Sequence, residues 1–400
     1  MPNISRRQFV AAAAVGVGAV ACPALNANRK SVNGQSLVAE APRIQSPVPM
    51  LHVSDLFRPH NDPDDHWDLA CVYSLAWQGK ADLKAILIDY PQGNRANDPD
   101  VLSVAQMNYL TGKAVPTVVG SPHWITPNEA NDRKNNLALR GIRSMLQVLR
   151  NSPEPIVINI LGSCRDVAIA GSLEPELFAE KCKAIYLNAG SGSPDPKKAA
   201  KLEWNVQLDP RAYSTIFSIP CPVYWMPCFE EIGWKPTATS KFPEYGTYYR
   251  FRQGTILPHL SKEMQNFFAF MFKHGQLEKE HTTGDDIRAD WLSSLVGPSD
   301  SKLLERLNAM DRNMWCTGGF LHAAGYTVTR DGKIVRLEEA SDPAFTFDSI
   351  DVSCAASGVT TWRPAQSSPP RYIFHVRDPQ SYPTAMTAAL KSLMLELNTH

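Results

Sequence analysis

The sequence predicts an α/β protein whose central sheet is mostly parallel and covered by helices on both faces. Short runs of aliphatic and β-branched residues recur from Met50 onward, and stretches with helical periodicity separate them. The intervening stretches are roughly ten to fifteen residues long, the length of a crossover helix, and crossovers join parallel neighbours. No span repeats and no tract is of low complexity, so one domain is expected rather than an array.

The elements follow in order. Met50 to Leu56 is a short apolar run, and Asp65 to Gln78 has helical spacing. Leu83 to Asp89 is a strand, Asp98 to Leu110 a helix, and Val115 to Val119 a strand. Asn135 to Leu149 is amphipathic, with Ile142, Met145, Leu146 and Leu149 on one stripe. Pro155 to Leu161, Ala184 to Asn188 and Val223 to Met226 continue the strand series, with helices after Cys164 and near Pro210. Beyond Cys228 the alternation weakens. Leu260 to His274 reads as a helix and Tyr326 to Leu337 as a hairpin turned by Thr329, Arg330, Asp331 and Gly332. Arg371 to Val376 is a strand and Tyr382 to Leu397 a closing helix. In such an open sheet, ligands are expected at the carboxyl ends of the strands.

The 400 residues are 44% hydrophobic and 20% charged, a globular composition. Forty basic and forty acidic residues cancel, so net charge does not argue for nucleic acid or an anionic membrane as a partner. Arg6 and Arg7 precede an Ala/Gly/Val-rich run from Ala11 to Ala21, too short and too weakly apolar for a stable membrane span. The pattern resembles a twin-arginine export signal, which implies a periplasmic or other extracytoplasmic location. Residues 1–27 are assigned to this signal, 28–48 to a flexible tether and 49–400 to the domain. Cys22 leaves a lipid anchor open, although Ala19 is a poor first residue for that motif. None of the eight cysteines forms a Cys-x-x-Cys pair. Cys71, Cys164 and Cys182 read as buried small hydrophobes, whereas Cys221 and Cys228 flank a strand, where oxidising conditions leave a pairing open.

Asn61-Asp62-Pro63-Asp64-Asp65 follows the first strand and opens a helix. Three carboxylates so close repel one another unless a cation or a ligand's hydroxyls offset the charge. The same acids also suit a solvated helix cap, and both readings stand at this point. Gly93-Asn94 lies just past a strand end, where an amide side chain can reach the same crevice or simply make a turn.

Together these segments resemble the nucleoside hydrolases of the inosine–uridine type, which carry Asp-x-Asp-Pro-Gly-x-Asp-Asp after their first strand. Val104 to Gly120 is similar to that family's second helix and third strand. Ile158-Asn159-Ile160-Leu161-Gly162-Ser163, followed by Asp166 to Ala170, resembles its strand, Gly-rich turn and helix. Glu203-Trp204-Asn205 with Asp209-Pro210 is similar to its Glu-Phe-Asn…Asp-Pro segment, and Gly319 to Ala324 falls where the family has a His-Asp pair. The resemblance spans roughly residues 50 to 400.

It implies a nucleoside hydrolase-like, Rossmann-like open sheet and a calcium ion held by Asp62, Asp65 and the carbonyl of Leu161. Asp62 would also be the general base for the attacking water. Asp64, Asn94, Glu203 and Asn205 would bind ribose hydroxyls, Trp204 would line the pocket, and His322 would face the leaving base. Two departures stand out. Asp62-Pro63-Asp64-Asp65 is two residues short of the family spacing, so His60 and Asp55 compete with Asp62 for the first ligand position. Ala323 replaces the last calcium aspartate, for which Asp68 or Asp311 could substitute. The activity implied is hydrolysis of the N-glycosidic bond of ribonucleosides by a metal-activated water. The alternatives are an exported, non-catalytic relative that binds a sugar or nucleoside, and a hydrolase of another glycoside. Relatives commonly form dimers or tetramers, which leaves a homo-oligomer open.

Overall fold

The computed structural model describes residues 46–58, 64–90, 98–132, 137–231, 242–277, 290–366 and 370–398. Residues 1–45, with the paired arginines, Cys22 and nearly all of the tether, lie outside the described residues, as do Asp62 and Asn94.

Nine strands form the central sheet: β1 (Val48–Ser54), β2 (Ala81–Ile88), β3 (Thr117–Val119), β4 (Ile156–Ile160), β5 (Cys182–Asn188), β6 (Val223–Met226), β7 (Phe345–Cys354), β8 (Thr360–Pro364) and β9 (Arg371–Val376). Their spatial order is β8-β7-β9-β6-β5-β4-β1-β2-β3. All neighbours are parallel except β7, which runs antiparallel to both β8 and β9. The mostly parallel sheet is therefore as expected, and the β7–β8 hairpin at one edge is an addition. Its Ser- and Thr-rich strands are only half-buried, so their hydrophobic contrast is weak.

Parallel strands buried on both faces should be apolar throughout rather than alternating. β1 and β4 are buried along their whole length and are apolar except at His52, Ser54 and Asn159. Helices cover both faces, giving two cores. On one side lie α1 (Asp64–Trp77), α2 (Val101–Thr111), α6 (Lys262–Leu277), α7 (Thr317–Ala323) and α8 (Tyr382–Leu395). On the other lie α3 (Arg140–Asn151), α4 (Arg165–Leu173) and α5 (Pro210–Ile216). In α3 the stripe Ile142, Met145, Leu146 and Leu149 is buried as its spacing predicts. α1 differs, because every residue from Asp65 to Ala76 is buried. A second layer covers its outer face, where Trp67 stacks on Phe268 at 4.0 Å between ring centroids and meets Phe251 edge-on. Phe251 belongs to a two-stranded ribbon, Tyr249–Arg252 with Asp311–Met314, an element beyond those expected from the sequence.

The chain winds outward from β1 through β2 to β3, then returns to β4 on β1's other side and continues through β5 to β6. Direction thus reverses between β1 and β4, the kind of switch point where an open sheet leaves a crevice beyond its strand ends.

Candidate active site at the switch point

Ser54 ends β1, and Asp55 follows it directly; Ile88 ends β2, and Asp89 follows. Past the end of β4 comes the turn Leu161-Gly162-Ser163. A Cβ at Gly162 would overlap the Asp89 carboxylate and lie 2.8 Å from the Cβ of Asp55. Only glycine lets this turn come so close, and it brings three strand ends together. The backbone N–H of Ser163 donates to Asp89 Oδ2.

The first turns of α1 add Asp64, Asp65 and Asp68 to the same region. Ser54 Oγ donates to Asp65 Oδ1 at 2.5 Å. The Cys316 thiol, at the start of α7, hydrogen-bonds Asp68, whose Oδ1 finds no partner among the described residues. Asp65 is 5% exposed, and Asp68 and Asp89 are each 1% exposed. Carboxylates so placed resist ionisation, because burial removes water and their neighbours share their charge. Burial, then Asp55 and Asp64, push Asp65 well above the usual carboxylate range. Burial takes Asp68 up to about 8, and burial followed by Asp55 and Asp166 raises Asp89 well above its ordinary value. Asp55 contributes repulsion at all three, which makes it the hub of the cluster. It is half-buried.

The opposite wall comes from β5 and the segment after it. Glu203 caps the short helix Trp204–Leu208, its Oε1 accepting from Asn205 N at 2.9 Å and its Oε2 from Gly190 N at 2.9 Å. Burial takes its pKa up to about 7. The Asn205 Nδ2 donates to the carbonyls of Leu161 at 2.7 Å and Asn188 at 3.0 Å, tying β4 to β5. The Cys228 thiol donates to Asn188 Oδ1 at 3.6 Å. Trp204, 40% exposed, stands beside them on the outer surface.

The structure thus gathers Asp64, Asp65, Leu161, Glu203, Trp204 and Asn205 from the expected set, but with roles that differ in detail. Both Glu203 oxygens serve backbone amides, and Leu161's carbonyl already accepts the Asn205 amide. His322 lies within an aromatic cluster rather than among the acids. Its Nδ1 hydrogen-bonds the Tyr186 hydroxyl at 2.7 Å, and Phe347 and Tyr224 pack against its ring. Burial lowers its pKa to about 4. Tyr186 sits one pleat below Asn188 at the strand end, so His322 belongs to the layer beneath the crevice. Of the two substitutes for Ala323, Asp68 joins the cluster. Asp311 is exposed and pairs with Arg252 at 3.2 Å.

Asp89, Cys228 and Cys316 fall outside the site set expected from the sequence, in which Asp55 competes for one position. The position of Asp55 and Asp89, each directly after a buried strand, was a usable signal. Nothing in the sequence marks Cys316, which reaches Asp68 only through the packing of α7 on α1.

Calcium requires six to eight oxygen ligands. Among the described residues no group of three or more His, Cys, Asp or Glu side chains is arranged to hold a metal ion. The Leu161 carbonyl is engaged by an amide, Ala323 is buried in the core, and a thiol stands beside Asp68. His60 and Asp62, two of the candidates for the first ligand position that the resemblance implies, lie outside the described residues. No helix among them is long and apolar enough to cross a membrane.

No protein-family model matches the sequence, and no curated protein matches it. Solved structures with a similar course of chain include the effector protein XOO4466, at 13% identity over 88% of this chain and 95% of that one, with a TM-score of 0.49. Another is the type III effector protein XopQ complexed with adenosine diphosphate ribose, at 14% identity over 88% and 94%, with a TM-score of 0.43. The inosine-uridine preferring nucleoside hydrolase from Bacillus anthracis is similar at 11% identity over 86% and 99%, with a TM-score of 0.41.

Proposed function

We propose that the crevice binds a ribonucleoside or related glycoside and hydrolyses its N-glycosidic bond. The observation that carries this reading is the convergence of Asp55, Asp65, Asp68 and Asp89 on the switch point of the sheet, beside Glu203 and Asn205. Cleaving such a bond passes through an oxocarbenium-like sugar, and a cluster of acids in a water-poor site stabilises the positive charge that develops there. Asp55 is the group best placed to accept a proton from the attacking water. The water oxygen then bonds to the anomeric carbon, and the electrons of the C–N bond leave with the base. Asp68, raised to about 8 by burial, keeps its proton near neutral pH and can donate a hydrogen bond to the sugar, while burial also pushes Asp65 upward. Trp204 borders the opening. On the Arg6-Arg7 segment alone, we place this activity outside the cytoplasm.

Binding without hydrolysis is the second reading. It is favoured by the engagement of both Glu203 oxygens and the Leu161 carbonyl in backbone contacts. Reducing-sugar release from a panel of nucleosides, with added calcium and with chelator, separates the two. Release in either arm supports hydrolysis. Heat evolved on titration with nucleoside, with no sugar released, supports the binder. Neither signal with any panel member removes the proposal.

A further inference from the structure

The pairing of β5 with β4 contains a bulge. Ile156 pairs with Cys182 and Val157 with Ala184, so one extra residue of β5 is inserted between them. In a regular strand Cys182 would share a face with Ala184 and Tyr186. The bulge instead turns Lys183 out to solvent and Cys182 into the core of Ile185 and Leu187, opposite to that of Ala184 and Tyr186. β6 runs alongside with Ile185 opposite Val223, and Cys221, two residues before Val223, enters that same core. The Cys182 and Cys221 side chains lie in the same core cluster and close enough to influence each other, and both cysteines are buried and unbridged.

The backbone on both sides is held. The Cys182 N–H donates to the Phe178 carbonyl at the end of helix Pro175–Lys181. The Arg371 Nη1 donates to the Cys221 carbonyl at 2.8 Å, while Nη2 donates to the carbonyls of Phe217 at 2.8 Å and Ile219 at 2.9 Å. Cys221 lies just ahead of β6, where Ile185 N donates to the Pro222 carbonyl at 2.9 Å, so Cys182 and Cys221 come from neighbouring segments, the spacing a disulfide requires.

We propose that Cys182 and Cys221 form a disulfide when the chain folds under oxidising conditions. The two thiols lose two protons and two electrons as the S–S bond forms. The disulfide of oxidised glutathione accepts them and is cleaved to two thiols. Once folded, the pair is inaccessible and burial holds the Cys182 thiol protonated, so the reaction belongs to folding rather than to the finished molecule. The loop closed between the two positions carries Asn188, Gly190, Glu203, Trp204 and Asn205, most of the opposite wall of the crevice. A cross-link there restricts the unfolded loop and stabilises that wall.

The test is refolding of the full chain in a mixture of oxidised and reduced glutathione, followed by acid quench, alkylation without reductant, digestion and mass mapping. The peptides of Cys182 and Cys221 should be recovered as one linked pair, lighter by two hydrogens than their sum. Two fewer thiols should be alkylated than in a fully reduced sample. Reduction should lower the Tm of the wild type and leave that of Cys221→Ser unchanged. If that variant does not fold, mapping of the wild type decides alone. Full alkylation of both cysteines after oxidative refolding, or a link from Cys221 to Cys228 instead, would overturn the proposal.

Discussion

Asp68 shows how a single side chain can tie stability to pH. It is 1% exposed, and burial takes its pKa from 3.8 to about 8. A carboxyl that holds its proton more tightly when folded makes the folded state bind more protons than the unfolded state throughout that interval. Stability should then fall as pH rises from about 4 to about 8, with Asp68 accounting for roughly 1 kcal/mol per pH unit. Urea denaturation of the wild type and Asp68→Asn at a series of pH values checks this. The variant should show a flatter dependence, and equal slopes would mean that Asp68 ionises freely. Asn205 works differently. Its amide bridges two strand-end carbonyls, and Asn205→Ala leaves both short of a buried donor. The expected loss is roughly 1–3 kcal/mol in the same assay.

At the level of elements, α7 is the piece that brings Cys316 to Asp68 and His322 to Tyr186. Its two glycines let it lie flat on the sheet. A Cβ at Gly318 would come within 3.1 Å of Phe345, and one at Gly319 would overlap the Met226 sulfur. Gly319→Ala should therefore cost about 1–3 kcal/mol through overpacking, read as a lowered midpoint of denaturation. An unchanged midpoint would show that Met226 moves aside freely. Such contacts also explain what the sequence could and could not tell. The stripe of α3 was legible because one of its faces meets water, so polarity alternates with the helical period. α7 offered no contrast, since six of its seven residues are buried. The β7–β8 hairpin was hidden for the opposite reason, being half-buried and rich in Ser and Thr. The acids of Asp64 and Asp65 were visible as a run, and Asp55 and Asp89 as residues past strand ends. Their convergence with Cys316 depends on contacts between segments far apart in the chain, which no local pattern records.

Over the whole molecule, a reversal of strand order between β1 and β4 sets where the strand ends gather, and glycine at 162 allows the flanking turns to meet there. The two cores on either face of the sheet hold that rim from below. The proposed hydrolysis requires the acids gathered at this rim to act together on one glycosidic bond. The most direct test is the rate of sugar release by Asp55→Ala against the wild type, with folding confirmed by circular dichroism. The account predicts measurable release by the wild type and a fall of roughly 10²–10⁴-fold in the variant, the range typical of losing a general base. Release at the wild-type rate by a folded Asp55→Ala would contradict it.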